Sequence, residues 1–486
     1  MNIEQMREWA DSGDFLPCYL IEVQVFDGTE ERTLYLSDRG FVTEASDTPS
    51  NTSYVPVVAD IGTITERLSV NGSASVGHGS ITLSNMGGES DHYLDYIWDN
   101  RPLKILLGDV KWPRSEFFTV FSGSTERLNA RSSTSLELLV RDRLNLLNGP
   151  VSELTTANER TVPCSFGDVS NVPSLLVDPA HLTYQVHPSS VELIAEVRDN
   201  GVPVAFSGQE ADGKFQLAAS PIGDVTAVVL GDSSGGFSRD CAGLVRKLIT
   251  NYGPETGRAT IDEIDGENFS QFALDHPDCL GLFLEGRENL LSVLSQLTGS
   301  VNSSLIVGKQ GKFKLVHLQA PELAPEPATV ITPADMAENS FKPMSREPIS
   351  AAVKLAYNRN YLPLSTPAGG LPDAHKDTLQ EEWKFVKAVD EDIAAKYRLN
   401  VEPVTKESLL QVTEDAQQQV EALLELFSVQ RYIYTLRCFF WVMPIGIGDL
   451  IKVHYPRFGF ENGRNALVVG AKTAWSKGYV DLEIFV

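Results

Sequence analysis

The stretch "GDSSG" (231–235) fits the pattern G-x-S-x-G and puts Ser233 where a hydrolase would carry its nucleophile. Acyl transfer at such a serine needs a sharp turn from strand straight into helix, a histidine to take the proton, and N–H groups aimed at the oxyanion. The strand-like "DVTAVVLGD" does precede the serine, but Gly235 and Gly236 come before the expected helix N-cap at Ser238. The sheet before it reads as antiparallel, and no HGGG-type stretch is present. The expectation is a flexible connector that ends in an N-cap. The longer run "GDSSGGFSRD" (231–240) also lacks GxxxxGK[ST] and a GxGxxG within a βαβ unit, so it is not expected to cradle phosphate.

Other groupings of reactive residues are equally bare. "ALDHPDC" (273–279) gathers Asp275, His276, Asp278 and Cys279, all metal-ligand types, at a spacing that matches no zinc or iron–sulfur pattern. A turn in which Pro277 closes a short helix accounts for it. "VGHGS" (76–80) holds His78 between two glycines and reads as a strand edge or bulge. His181, His187, His317 and His454 each stand alone on strand-like stretches. Carboxylate pairs abound: Glu89 with Asp91, or Asp262 and Glu263 with Asp265, could be posed as general acid and base. Glycoside hydrolysis needs two carboxylates facing each other at a set separation, and solvated surface charge is the expected role. No HExxH occurs. No catalytic, cofactor-binding or metal-ligating residue is assigned, and neither an enzyme nor a cofactor is expected.

Charge narrows the partners. The formal net charge is −25, from 65 acidic and 40 basic residues, which argues against a protein that grips phosphate backbones through clustered Lys and Arg. An acidic wall remains compatible with DNA sliding past, because it repels a polyanion. "MNIEQMREWADSGDFL" has no apolar signal-peptide core, and the most apolar run, "FFWVMPIGIG" (439–448), is short, broken by Pro444 and preceded by Arg437. The expectation is a chain made soluble in a cytosol, without a membrane anchor. Five cysteines (Cys18, Cys164, Cys241, Cys279, Cys438) are scattered with no CxxC and read as reduced, mostly buried thiols.

At 486 residues the chain is expected to hold about three domains. Residues 1–150 are β-rich: "CYLIEVQVF", "GSITLSN" and "SLELLVRD" alternate apolar and polar residues, and "YVPVVADIGTITERLSV" and "RPLKILLGDVKWPRSEFFTVFSGSTERL" add short strands. "ESDHYLDYIWDN" (89–100) breaks the pattern and predicts one short helix with Ser90 as N-cap. A barrel or sandwich with a helical insert follows. Residues 151–235 form a small antiparallel β module, in which Asn200-Gly201 separates two apolar runs as a type I′ hairpin would, with further turns at Asp212-Gly213 and Ile222-Gly223. Residues 236–320 read as helices on a small sheet: "FSRDCAGLVRKLITNYG", "EGRENLLSVLSQLTGS", then the strand–turn–strand "SSLIVGKQGKFKLVHL". In 321–486 a Pro- and Ala-rich linker (within 318–341) leads to the strand "ISAAVKLAYNRNY", the loop "PAGGLPDAHKD", a long helix in "KESLLQVTEDAQQQVEALLELFSVQ" and a final all-β region. The class is β-rich α+β, with barrel-like regions at both ends enclosing two smaller modules.

The order of modules and several local patterns resemble the tail-tip or baseplate hub proteins of long-tailed, siphovirus-type bacteriophages. The carriers are "VPCSFGDVSNVPSLLVD" (162–178), "LTYQVHPSSVELIAEVRDNGVPVAF", "GKFQLAASPIGDVTAVVLGD", "LFLEGRENLLSVLSQLTGSVNSSLIVGKQGKFKLVHL" (282–318) and "GIGDLIKVHYPRFGF…GYVDLEIFV". They span most of residues 160–486, while the first 150 residues fit only in general strand pattern. The resemblance implies two barrels related to the tail-tube fold, arranged in a homotrimer as a pseudo-sixfold ring. It further implies contact with a distal tail protein, a tape-measure protein and tail fibres or receptor-binding proteins, residence in the virion after assembly in the bacterial host cytoplasm, and passage of DNA through an acidic lumen. Two other classes stay open. One is a cell-wall or polysaccharide hydrolase using carboxylates among Glu89, Asp91, Asp262 and Glu263, or a serine hydrolase built on Ser233. The other is a host-receptor adhesin, against which stands the absence of fibre-like repeats. Some tail-tip relatives bind an iron–sulfur cluster through four cysteines. Here Cys164 alone lies in the comparable stretch, so the purified protein is expected to be colourless, and a brown preparation with visible cluster absorption would contradict that.

Overall fold

The structure is a computed structural model that describes residues 3–68, 74–309 and 311–486, with backbone only for 74–76. The end of "YVPVVADIGTITERLSV" and Gln310 lie outside the described residues. Seven α-helices occur among those described: α1 (Ile3–Asp11), α2 (Cys241–Asn251), α3 (Gly266–Asp275), α4 (Leu290–Gly299), α5 (Asp373–Gln380), α6 (Glu391–Tyr397) and α7 (Thr413–Phe427). None is long and apolar enough to cross a membrane. The chain divides into two compact units, one of Met1–Leu146, Ser304–Glu347 and Gln430–Val486, the other of Leu147–Ser303 and Pro348–Val429.

The first unit is built on one sheet, fourteen-stranded among the described residues. Its local cause is period-two alternation. In the strand Ser135–Asp142, Leu136, Leu138, Val140 and Asp142 are buried and their neighbours are not. The path runs from the strand Glu31–Ser37 through Pro17–Phe26, Pro102–Asp109, Phe118–Ser132, Ser135–Asp142 and Ala74–Ser84 to Thr63–Leu68. There it passes to the far end of the chain: Thr63–Leu68 pairs antiparallel with Arg464–Ala474, from Thr63 opposite Ala474 to Arg67 opposite Gly470. The path continues through Tyr479–Phe485 and Tyr432–Phe439 to an edge at Lys342–Arg346. Among the described residues no barrel closes. The expected pair of barrels is not confirmed: the strands of both ends belong to one sheet, in which Thr63–Leu68 takes a C-terminal strand as its neighbour.

The second unit carries two facing sheets. One orders the strands Val202–Pro203, Val191–Asp199, Val225–Asp232, Cys164–Pro173 and Gly281–Leu284; the other orders Leu175–Asp178, Thr183–Gln185, Lys214–Leu217 and Phe206–Gln209. Val169, Ile194, Val197 and Val229 of the first sheet share a core with Tyr184, Phe215 and Leu217 of the second. The hairpin turn is as expected: Asn200 (φ 48°) and Gly201 (φ 86°) both take positive φ, the requirement of a type I′ turn. A three-stranded sheet (Lys384–Val389, Ala352–Tyr357, Thr405–Glu407) is backed by α7, whose Val420 and Leu423 pack on Leu355.

Several local expectations change. Residues Asp91–Asp95 form a short 3₁₀ helix with Ser90 at its N-cap position, but the Ser90 hydroxyl donates to the Ser84 carbonyl and makes no cap bond. The cap of α2 is Asp240, whose carboxylate accepts from the Gly243 N–H, and not Ser238. "PAGGLPDAHKD" is not all loop, since α5 begins at Asp373 with Pro372 as its N-cap. The linker 318–341 contributes Val330–Ile331, paired in parallel with the strand Leu450–Val453, and buries Ile331, Asp335 and Met336.

Gly281 and Gly167 face each other where the strands Gly281–Leu284 and Cys164–Pro173 meet. A Cβ on Gly281 would lie 1.6 Å from the Asp168 carbonyl oxygen, backbone that cannot step aside. Gly281→Ala is therefore expected to destabilise the protein by about 3 kcal/mol in denaturant unfolding. At Gly13, where a Cβ meets nothing within 4 Å, the same change should stay within about 0.5 kcal/mol; equal effects at the two sites would refute the close-approach argument.

Candidate functional site

The G-x-S-x-G stretch leaves the strand Val225–Asp232 and reaches α2 through two glycines in positive φ, Gly235 (69°) and Gly236 (102°). Its N–H groups are already engaged: Ser233 donates to the Ser190 carbonyl and Ser234 to the buried Asp232 carboxylate. The Lys247 ammonium, on the buried face of α2, donates to the Asp232 carbonyl (2.5 Å) and the Gly236 carbonyl (2.9 Å). A phosphate cradle needs N–H donors; this loop instead wraps the chain's own cation.

Around that cation lies a buried polar network. Asp232 is essentially inaccessible, 3.6 Å from the Lys247 ammonium, and its Oδ2 accepts from the Tyr252 hydroxyl at 2.8 Å. Tyr252 Oη is also 3.2 Å from His187 Nε2. The Ser165 backbone N–H donates to His187 Nδ1 at 3.1 Å, so Nδ1 carries no proton, the neutral ring is protonated at Nε2, and Nε2 donates to Tyr252. Donation thus runs from Ser165 N–H to His187, from His187 to Tyr252, and from Tyr252 to Asp232. Burial pulls the His187 pKa down to about 4 against the partial support of Asp232, and Lys247 further lowers it. Burial also lowers the Lys247 ammonium pKa and raises the Tyr252 phenol, with Asp232 raising the phenol further.

Every hydrogen-bonding site of the His187 ring is occupied, one nitrogen by a backbone donor and the other by Tyr252. A general base needs a free ring nitrogen within reach of the serine hydroxyl. The ring next to the Ser233 loop is therefore spent on structure. Sequence reasoning placed His187 alone on a strand and missed Asp232, Lys247 and Tyr252 altogether. The available signals were a charged residue ending an apolar strand and a lysine on the apolar face of "CAGLVRKLITN".

The other sequence candidates are placed separately. Asp265 caps α3 by accepting from the Asn268 N–H, and Glu263 accepts from the Thr260 N–H. Asp91 accepts from the Asn85 amide, and Glu89 is exposed. In "ALDHPDC", Asp275 accepts from Gln271, His276 lies against the Phe272 ring, Asp278 accepts from Gln419, and the Cys279 N–H donates to Asp415. The segment ends α3 and anchors it to α7. His78 is exposed on the strand Ala74–Ser84, and His181 pairs with Asp178 at 2.7 Å. All five cysteines are buried and free; burial pushes the Cys18 and Cys164 thiols up to about 12 and Cys279 to about 11. Among the described residues, no three His, Cys, Asp or Glu side chains converge as a metal site would require.

No family model and no curated protein matches the chain. Solved structures that it resembles include a tail protein from Neisseria meningitidis MC58 (9% identity, 96% of each chain covered, TM-score 0.42). Others are prophage tail protein gp18 from Listeria monocytogenes EGD-e (10% identity, 96% of this chain and 94% of that one, TM-score 0.44) and the 43 kDa tail protein of prophage MuSo2 from Shewanella oneidensis (9% identity, 96% and 97%, TM-score 0.39).

The His187 geometry sets a pH dependence. The folded pKa lies near 4 and the ordinary value at 6.5, so the unfolded chain takes up a proton first. The stabilisation is complete above pH 6.5 and is lost as pH falls toward 4. Denaturant unfolding of the wild type should lose about 3 kcal/mol from this residue across that window. His187→Gln should show that much less fall; identical slopes would refute the buried neutral ring.

Proposed function

We propose that the chain is a structural component of a phage tail, the hub at the tail tip that closes the distal end of the tail tube as a homotrimeric ring. In this reading it links the tube and a distal tail protein to tip fibres or receptor-binding proteins, meets the tape-measure protein, and leaves an acidic channel through which DNA exits. It is assembled in the bacterial host cytoplasm and resides in the virion. The observation that carries the reading is the run of hub-like motifs from "VPCSFGDVSNVPSLLVD" to "GYVDLEIFV", across most of residues 160–486.

Physical features support it. The strand Lys342–Arg346 is an edge whose five residues are all exposed, and an open edge can take a neighbouring chain's strand. A net charge of −25 suits a wall that must not hold DNA. The reading contains no catalytic step, in keeping with a His187 ring that has no free nitrogen.

Electron microscopy and light scattering of the purified protein test this. A threefold ring of three chains with Glu and Asp facing the lumen is the expected result; a monomer or a basic lumen would overturn it. Cell-wall clearing and ester hydrolysis should both be absent, and any activity abolished by Ser233→Ala would replace the structural reading with an enzymatic one.

A further inference from the structure

A cavity of about 360 Å³ lies within the first unit, and its walls come from segments far apart in the chain. The strand Pro102–Asp109 supplies Leu107, which stands opposite Phe118 at the start of the next strand. Met6 comes from α1, Met443 follows the 3₁₀ turn Phe440–Val442, and Trp475 opens the turn Trp475–Lys477. Met6, Leu107, Met443 and Trp475 are all buried. Protein interiors are close-packed, so an apolar hollow of this size forfeits contacts that its walls could make. Ligand sites are typically hollows of about 300–1,000 Å³, mostly apolar, with a few placed polar groups.

The turn that precedes the strand Phe313–His317 brings two lysines to this cavity. Gly311 takes φ 77° there, and the Gly308 N–H donates to the Lys312 carbonyl at 2.8 Å. Lys309 is already engaged, since its ammonium meets the Glu66 carboxylate at 2.8 Å and the Thr473 hydroxyl at 3.2 Å. Lys312 is half-buried, and its ammonium has no partner among the described residues. No acidic residue lines the cavity, although the chain carries 65 acids against 40 bases. The one free charge in the wall is therefore positive.

Apolar walls and one free ammonium narrow the ligand. A neutral hydrocarbon would leave Lys312 unpaired, and a dianion would find only one free cation. A peptide would bring amide groups that each need a partner. Beyond the lysines, the lining side chains offer only the Thr119 hydroxyl and the Trp475 N–H as hydrogen-bonding groups. A single alkyl chain ending in one negative charge meets both demands. Its methylenes leave water against the apolar wall, and its head accepts a charge-assisted hydrogen bond from Lys312. Methionines suit such a wall, because the unbranched thioether adapts to irregular apolar shapes.

We infer that this cavity binds a single fatty acyl chain with a monoanionic head, the chain against the apolar wall and the head on Lys312. The inference stands apart from the tail reading, since it rests on the cavity and its free ammonium alone. Two sources offer the chemistry: a free fatty acid, and an anionic lysophospholipid. Calorimetry on the full chain with decanoate and with decanoyl-lysophosphatidylglycerol separates them, with decanol and decylammonium as uncharged and wrongly charged probes. One of the two anionic probes should bind once per chain with a dissociation constant at or below about 0.1 mM, and the tighter names the source.

Lys312→Ala removes an ammonium that holds nothing else in the described chain. It should weaken binding of the anionic probe at least about tenfold and leave decanol unchanged, a split that a merely structural lysine would not give. If that variant fails to fold, the wild type decides: its melting temperature should rise with the anionic probe and not with decylammonium. No saturable binding of either anionic probe, decylammonium bound as tightly as decanoate, or full affinity in Lys312→Ala would each overturn the inference.

Discussion

The antiparallel pairing of Thr63–Leu68 with Arg464–Ala474 is the constraint on which the first unit depends. Without it the sheet would break into an N-terminal and a C-terminal half, each with a long exposed edge. The pairing closes a loop of roughly 400 residues, an entropic cost of about 5 kcal/mol by the logarithmic loop law. Full burial of one large aliphatic side chain contributes about 1.5–3 kcal/mol. Ile64 and Leu68 on one strand and Leu467 and Val468 on the other are all buried, enough to offset the closure. The seam also carries charge. Inward-facing Glu66 meets the Lys309 ammonium at 2.8 Å, and the same ammonium reaches the Thr473 hydroxyl at 3.2 Å. An acid on the buried face is tolerable only with such a partner.

The second unit solves a related problem differently. Its sandwich is apolar between the sheets, but where the strand Val225–Asp232 hands over to α2 the interior turns polar. Asp232, Lys247, Tyr252 and His187 are each costly to bury alone. Together they satisfy one another, and two loop carbonyls complete the shell of the ammonium. Such a network specifies geometry more than it adds stability, because each member fits only one arrangement of the others. It also explains the glycines at 235 and 236, which let the loop fold back far enough for the Gly236 carbonyl to reach Lys247.

Legibility in the sequence follows the range of the interactions. Strands such as Ser135–Asp142 were readable because alternation is a period-two signal, and the hairpin at Asn200-Gly201 because its turn chemistry is local. The cap of α2 was misread at Ser238 because serine and aspartate both cap well, and the choice of Asp240 depends on where the helix must begin so that Cys241 is buried. Helix α5 was masked by the prolines and glycines before it, and its hold on the fold comes through buried Leu379. The join between Thr63–Leu68 and Arg464–Ala474 left no trace in either segment, so two barrels were the natural expectation where the strands of both ends belong to one sheet. The cavity beside Lys312 was illegible for a similar reason. Its walls come from distant segments, and none of them announces it alone.

The seam also sets an order of events during synthesis. Ribosomes add roughly 5–20 residues per second, so Thr63–Leu68 emerges about 20–80 s before Arg464–Ala474 exists. Through that interval the growing chain carries an unpaired strand edge, the kind of surface that invites pairing with another nascent chain. Polysomes translating this message hold many such edges close together. That edge stays open until Arg464–Ala474, near the very end of the sequence, has been made.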